Sequence, residues 1–249
     1  MLLALIALFA CATLAPAQPQ SSPLLAEAER LYRARDWRGA EAAWEEALTL
    51  DLSDAVRARV CRNLGNTAYR LDELPRAVGW FEAARRLAPR DRDAWTNLEL
   101  ARRKLEWPPA DRGDLRSGIE RVLRSLTARE AEALALLGLL PFALCAAFEA
   151  LRGGRAAKLC VLAAVFAALA CAAPLLHRAF TARDGECLVL AREGAALRAE
   201  PSDALAPVGR LDAGSRAWRI DAWPEWVRVE AEDGARGWVP AAQLFELAR

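Results

Sequence analysis

The sequence predicts a multidomain membrane protein: an all-α repeat region, then a two-helix transmembrane hairpin, then a small all-β barrel. Three observations predict this. Ala133–Leu151 is apolar except for Glu149, and Leu159–Leu176 carries no charge at all. Apolar and aromatic residues recur at helical spacing through residues 24–106. After residue 185 the pattern changes to short alternating runs punctuated by Gly, Asp and Pro.

Composition narrows the function classes. The 249 residues carry 34 Lys and Arg against 33 Asp and Glu. This near balance, without a basic block, argues against a nucleic-acid protein. Six cysteines are dispersed as Cys11, Cys61, Cys145, Cys160, Cys171 and Cys187, with no CxxC pair. Three of them fall in the apolar helices, where Cys behaves as a small hydrophobe. Cys61 and Cys187 belong to different extramembrane regions; a disulfide between them and two free thiols are both open. The single histidine, His177, has no partners at metal-ligand spacing, so neither a metal nor a cofactor is expected.

Residues 1–17 read as a signal peptide: the apolar run Met1–Leu14 is followed by Ala15-Pro16-Ala17, an A-x-A step suited to cleavage. The run lacks a basic start. Lipid attachment at Cys11, after Leu8-Phe9-Ala10, and a retained anchor are the other readings. All three place residue 20 onward outside the cytoplasm.

Within residues 24–106, Trp37, Ala40, Trp44 and Ala47 recur as Leu74, Ala77, Phe81 and Ala84, 37 residues later. Leu64-Gly65-Asn66, Leu74, Ala77, Phe81, Ala84 and Pro89 match the tetratricopeptide (TPR) pattern, whose period is about 34 residues. There, small residues let two helices approach, aromatics fill the gap between them, and Pro ends the second helix. A partial third copy starts at Asp91, with Trp95, Leu98 and Ala101. The expectation is an all-α TPR solenoid of five helices, about two and a half repeats, whose last helix covers the open core face. Trp37, Trp44, Phe81, Trp95 and Leu98 are read as core. In TPR proteins the first helix of each repeat lines the concave face, which the resemblance carries onto Tyr32, Arg33, Arg59, Arg62, Asn66, Tyr69, Arg70, Arg103 and Lys104. The result would be a basic groove for an acidic or C-terminal segment of a partner, since guanidinium forks match carboxylates. A plain solvated charged face is the competing reading.

Residues 107–132 form a linker, opened by Trp107-Pro-Pro, and an amphipathic helix with Ile119, Val122, Leu123 and Leu126 on one face. Thr127 to Glu130 resembles a capping box. Transmembrane helices follow at 133–151 and 159–176, each long enough to cross ~30 Å of hydrocarbon. The loop 152–158, with Arg152, Arg155 and Lys158, is expected in the cytoplasm. Pro141 is expected to bend the first helix. Glu149 reads as a snorkelling partner of Arg152, or else as an intramembrane functional acid. Ala164, Ala168 and Ala172 form a small-residue stripe for close helix packing, within the hairpin or against another membrane protein.

Residues 185–249 read as about five strands around Cys187–Leu190, Ala196–Arg198, Trp218–Ile220, Trp226–Val229 and Gly237–Val239. Asp233-Gly234 marks a hairpin turn. Leu197 to Ser202, Val208-Gly209, Gly214, Trp226 to Val229 and Asp233 to Val239 resemble a bacterial SH3-type domain, a small all-β SH3-like barrel. Trp238 is expected in its core. Trp218, Trp223 and Trp226 are candidates for its ligand face.

The chain carries no P-loop, GxSxG, HExxH or Gly-rich dinucleotide turn, and a non-enzymatic protein is expected. In order, signal, TPR repeats, two-helix transmembrane hairpin and SH3-like barrel resemble the BatE-type family of the Bat aerotolerance operon. The resemblance implies partners: von Willebrand factor A membrane proteins and a MoxR-type AAA+ ATPase system. It also implies a bacterial inner-membrane scaffold with the TPR and SH3-like domains on the periplasmic side, tied to oxygen tolerance or envelope stress. The alternative class is a cell-wall (peptidoglycan) binding module acting through the SH3-like domain.

Overall fold

The computed structural model describes residues 22–110, 118–119, 122–123, 125–126, 128–152, 157–181 and 185–247. The leader with Ala17 and Cys11, Thr127 of the capping box and Arg155 of the short loop lie outside the described residues. Of the expected amphipathic face, Ile119 and Val122 are exposed, Leu123 is buried and Leu126 is half-buried.

Five helices open the described chain: α1 (Pro23–Arg33), α2 (Trp37–Ala47), α3 (Asp54–Arg70), α4 (Leu74–Leu87) and α5 (Arg92–Lys104). Each packs on the next. Asp36 caps α2 by accepting the Gly39 amide at 2.9 Å, and Asp91 caps α5 by accepting the amides of Asp93 and Ala94 at 3.0 and 3.2 Å. The first helix of each pair ends in a left-handed residue: Arg35, Asp72 and Glu106 all have φ near +60°. The recurrence of this turn shows that the sequence repeat is also a repeat of backbone conformation.

The motif residues explain the packing. Trp44, Phe81 and Leu98 are fully buried, as are Ala40, Ala47, Ala77 and Ala84. A Cβ on Gly65 would lie 2.6 Å from the Phe81 ring, so glycine there sets how closely α3 and α4 approach. Trp37 and Trp95, expected in the core, are only half-buried, and each carries a guanidinium over its ring: Arg70 at 5.9 Å and Arg85 at 5.8 Å.

Helices α6 (Ala128–Arg152) and α7 (Ala157–Thr181) form an antiparallel hairpin. Both are long and apolar enough to cross a membrane, and only 11% and 12% of their apolar windows are buried within the protein. Their exposed large side chains are Leu, Val and Phe. The stripe expected at Ala164, Ala168 and Ala172 is only partly covered: Ala164 and Ala172 are half-buried, while Ala168 is exposed. Beside half-buried Ala164, Cys171 and Ala172, one run of covered residues comprises Ala131, Ala135, Gly138, Pro141 and Cys145 on α6, and Cys160, Ala163, Ala167, Ala170 and Pro174 on α7. They alternate at three- and four-residue steps, the spacing that keeps one helical face toward a partner. Every one is small or compact, and a Cβ on Gly138 would collide with that of Ala170.

The C-terminal part has seven strands where the sequence suggested about five: β1 (Glu186–Val189), β2 (Ala195–Leu197), β3 (Gly209–Leu211), β4 (Arg216–Trp223), β5 (Trp226–Ala231), β6 (Arg236–Pro240) and β7 (Leu244–Glu246). The five-stranded antiparallel sheet runs β6-β5-β4-β1-β7, and β2-β3 form a second sheet. Reciprocal amide bonds between Arg198 and Trp238 (2.8 and 3.0 Å) join the two sheets. Val189, Leu197, Val227, Val229 and Val239 fill the interior. Trp238, expected there, is half-buried instead. Side chains alternate along β6, so Gly237 and Val239 take the inward positions and Trp238 lies on the opposite face. Gly234, with φ +85°, makes the β5–β6 turn that Asp233-Gly234 announced.

The β region docks on the helices. β1 is buried at every position. Alternation divides its residues: Val189 enters the core of the β region, while Leu188 joins Phe81, Leu98 and Trp107 in a shared core. Phe245 of β7 stacks edge-on with Trp80 at 4.9 Å, against the flat site left by Gly79. Leu247 packs with Cys61, Ala83, Ala84 and Ala94. The expectation that the last helix closes the array needs this amendment: strands β1 and β7 help cover the outer face of α4 and α5, where a longer array would place another helix.

Candidate partner-binding site

Four of the candidate groove residues meet in one place. Tyr32, Arg33, Arg59 and Arg62 line a cleft between α1 and α3, with Glu29, Asn63 and Trp44, and a volume of about 290 Å³. The left-handed turn after α1 sends α2 back beneath it, which puts Trp44 in its wall.

Its charge is more modest than the sequence suggests. Arg33 donates to Glu29 at 3.1 Å, one helical turn back. Arg62 donates to Asp91 at 2.6 Å and lies 3.6 Å from Asp93, both at the start of α5. Arg59 is exposed and has no ion pair among the described residues. The Trp44 indole is buried, and its Nε1–H has no acceptor among the described residues. A cleft lined by a guanidinium unpaired among the described residues and by a phenol suits a ligand that brings acceptors, such as a carboxylate.

The remaining candidates lie elsewhere. Asn66 accepts from Asn97 at 2.9 Å, tying α3 to α5. Tyr69 lies under Lys104, whose Nζ is 5.2 Å from the ring centroid, and Lys104 pairs with Asp72 at 2.9 Å. Arg70 is over Trp37, and Arg103 is exposed. The candidates therefore do not line one cleft together, and acidic residues on a neighbouring turn and loop take two of the guanidiniums, Arg33 and Arg62. On the β region, Trp223 is exposed, Trp218 half-buried and Trp226 buried.

A second cluster escaped the sequence reading. Glu82 on α4 is 2% exposed, and Arg85 reaches its Oε2 at 2.8 Å. Arg102 of α5 and Arg216 of β4 approach at 3.9 and 3.7 Å. Arg216 also lies 3.4 Å from Glu186, which Arg86 contacts at 3.1 Å. Arg102 Nη2 donates to the Gly214 carbonyl at 3.2 Å. Burial alone would push the Glu82 carboxyl up, but the guanidiniums of Arg85, Arg216 and Arg102 outweigh it and hold it at about 2. This network binds the helices to the β region. Its sequence signal is faint, since Arg and Glu alternate along most of these helices.

Cys61 and Cys187 are buried free thiols, each pushed up to about 11 by burial, so the disulfide reading is not realised. No group able to hold a metal ion occurs among the described residues.

No family model matches this chain, and no curated protein matches it.

Proposed function

We propose that the chain is a non-enzymatic inner-membrane adaptor of the BatE type. Its TPR-like helices and SH3-like barrel stand together outside the cytoplasm, and the helices capture an acidic or C-terminal segment of a partner membrane protein. The cleft carries this reading: Arg59, without an ion pair among the described residues, opens onto a concavity of about 290 Å³ that Tyr32 and Arg62 also line. Two observations support the sidedness. The helices and barrel share a core, so both ends of the hairpin belong on one face of the membrane. The short loop with Arg152, Arg155 and Lys158 then belongs to the cytoplasmic face. The partners suggested by resemblance, von Willebrand factor A membrane proteins working with a MoxR-type ATPase, fit such a placement.

The test is crosslinking of the intact protein in its native membrane, with identification of what is captured, for the wild type and Arg59→Glu. Capture of a von Willebrand factor A protein that is lost in the variant supports the adaptor. Capture unchanged by the reversal removes the cleft from the account. The wall-binding alternative draws less support, because of Trp218, Trp223 and Trp226 only Trp223 is exposed. Sedimentation of the full chain with purified peptidoglycan would restore it.

A further inference from the structure

The β4–β5 hairpin carries the two most exposed large apolar side chains of the main sheet: Trp223 is 63% exposed and Ile220 47%. A bulge between Arg219 and Asp221 displaces Ile220 from the regular ladder. The β4–β5 turn holds Trp223 opposite Trp226, which is buried, so one ring anchors the turn and the other projects from it.

Connectivity says where this turn points. Three residues separate Thr181, the end of α7, from Gly185. At ~3.3–3.6 Å per residue, Gly185 therefore lies within ~15 Å of the end of the apolar helix. β4 runs antiparallel to β1, with Leu188 opposite Arg216 and Glu186 opposite Trp218. The Arg219 amide then donates to the Gly185 carbonyl at 2.7 Å, and β4 continues for four more residues. Those residues extend past the start of β1, at the end of the barrel where the chain arrives from α7. The β5–β6 turn at Asp233-Gly234 is at the other end of β5, ~17–20 Å away at ~3.3 Å per residue.

We infer that the tip of the β4–β5 hairpin, Ile220 and Trp223, rests in the interfacial layer of the same bilayer that α6 and α7 span. This rests on reading those helices as membrane-spanning. An indole with an apolar body and a polar N–H is suited to the headgroup region, where tryptophan is enriched. The tip carries Asp221 and Glu225 against Arg228, and Arg219 pairs with Glu246 at 2.7 Å, so it has no excess of positive charge. The contact is thus driven by the apolar and aromatic groups, and not by attraction to anionic lipid. With the shared core between barrel and helices, this third contact would set the tilt of the whole extramembrane body over the membrane.

The test places a benzophenone amino acid, in the full-length chain in native membranes, at Glu225 beside Trp223, at Ala235 in the opposite turn, and at Leu162 on the exposed face of α7. After irradiation, phospholipid adducts are read by intact mass. The inference expects adducts at 225 and 162, none at 235, and a yield at 225 unchanged by raised salt. An adduct at 162 with none at 225, or with a protein adduct at 225, overturns the interfacial contact and leaves the spanning helices standing. Equal adducts at 225 and 235 also overturn it, since the barrel would then have no fixed face to the lipid. No lipid adduct at 162 refutes the spanning reading itself, and the inference with it.

Discussion

Glu82→Gln removes one negative charge from the centre of the cluster and keeps the side chain's shape. Three guanidiniums, from Arg85, Arg102 and Arg216, then face a neutral amide in a site that is 2% exposed. The depression of the Glu82 carboxyl from its ordinary 4.5 to about 2 corresponds to about 3 kcal/mol, at about 1.4 kcal/mol per tenfold change in proton affinity. Breaking a buried ion pair by removing one partner costs about 3–5 kcal/mol, which agrees. For a body of roughly 150 residues the loss is a fall in Tm of roughly 6–12 °C at neutral pH. The pH dependence supplies a second signature. A carboxylate with a depressed folded-state pKa contributes its full stability above 4.5 and loses it as pH falls toward about 2. The gap between wild type and variant should therefore close over that interval. The assay is thermal unfolding of the detergent-solubilised chain followed by tryptophan fluorescence. Glu27→Gln, which removes an exposed partner of Arg30, serves as control and should leave Tm unchanged. A Glu82→Gln Tm within ~2 °C of wild type at pH 7 would refute the reasoning, because so small a shift means less than ~1 kcal/mol.

Other outcomes follow from the same geometry. Gly138→Val forces a side chain into Ala170 and should weaken the hairpin by about 1–3 kcal/mol; the SDS fraction at which fluorophores on α6 and α7 separate would fall, while Leu137→Val, on the exposed face, leaves it unchanged. Cys61 and Cys187 should resist maleimide at pH 7 and label fully in denaturant without reductant; a pair that stays unlabelled in denaturant would mean a disulfide. Arg62→Ala removes the 2.6 Å pair with Asp91 and should cost about 1 kcal/mol in a denaturant titration. Arg59→Ala should cost nothing there, so a binding defect in an Arg59 variant is attributable to the cleft.

The functional residues were only partly readable from the chain. Tyr32, Arg33, Arg59 and Arg62 could be found because first helices of repeats face one way. That Arg62 is held by Asp91, and Arg33 by Glu29, depends on side chains meeting across a loop and a turn. Arg102 sits beside Arg103 in the sequence, yet one is buried in the junction and the other exposed. A helix turns about 100° per residue, so neighbouring arginines have different fates that composition cannot separate.

Local periodicity alone determined the order of helical array, apolar hairpin and β region, since helix spacing, long uncharged runs and two-residue alternation are written in consecutive residues. It also marked the tight spots, such as Gly65 under Phe81 and the turn at Gly234. Only the tertiary structure decided which faces meet. The covered run through Ala163 and Ala167 is one residue away from the stripe at Ala164, Ala168 and Ala172, because small residues occur on several faces of α7 and only the partner helix selects among them. Strands β1 and β7 sit on α4 and α5 through contacts between residues some hundred positions apart, such as Arg86 with Glu186. Long-range pairing of this kind leaves no periodic trace in the sequence, so a buried Glu82 and a solvated glutamate look alike until the chain has folded around one of them.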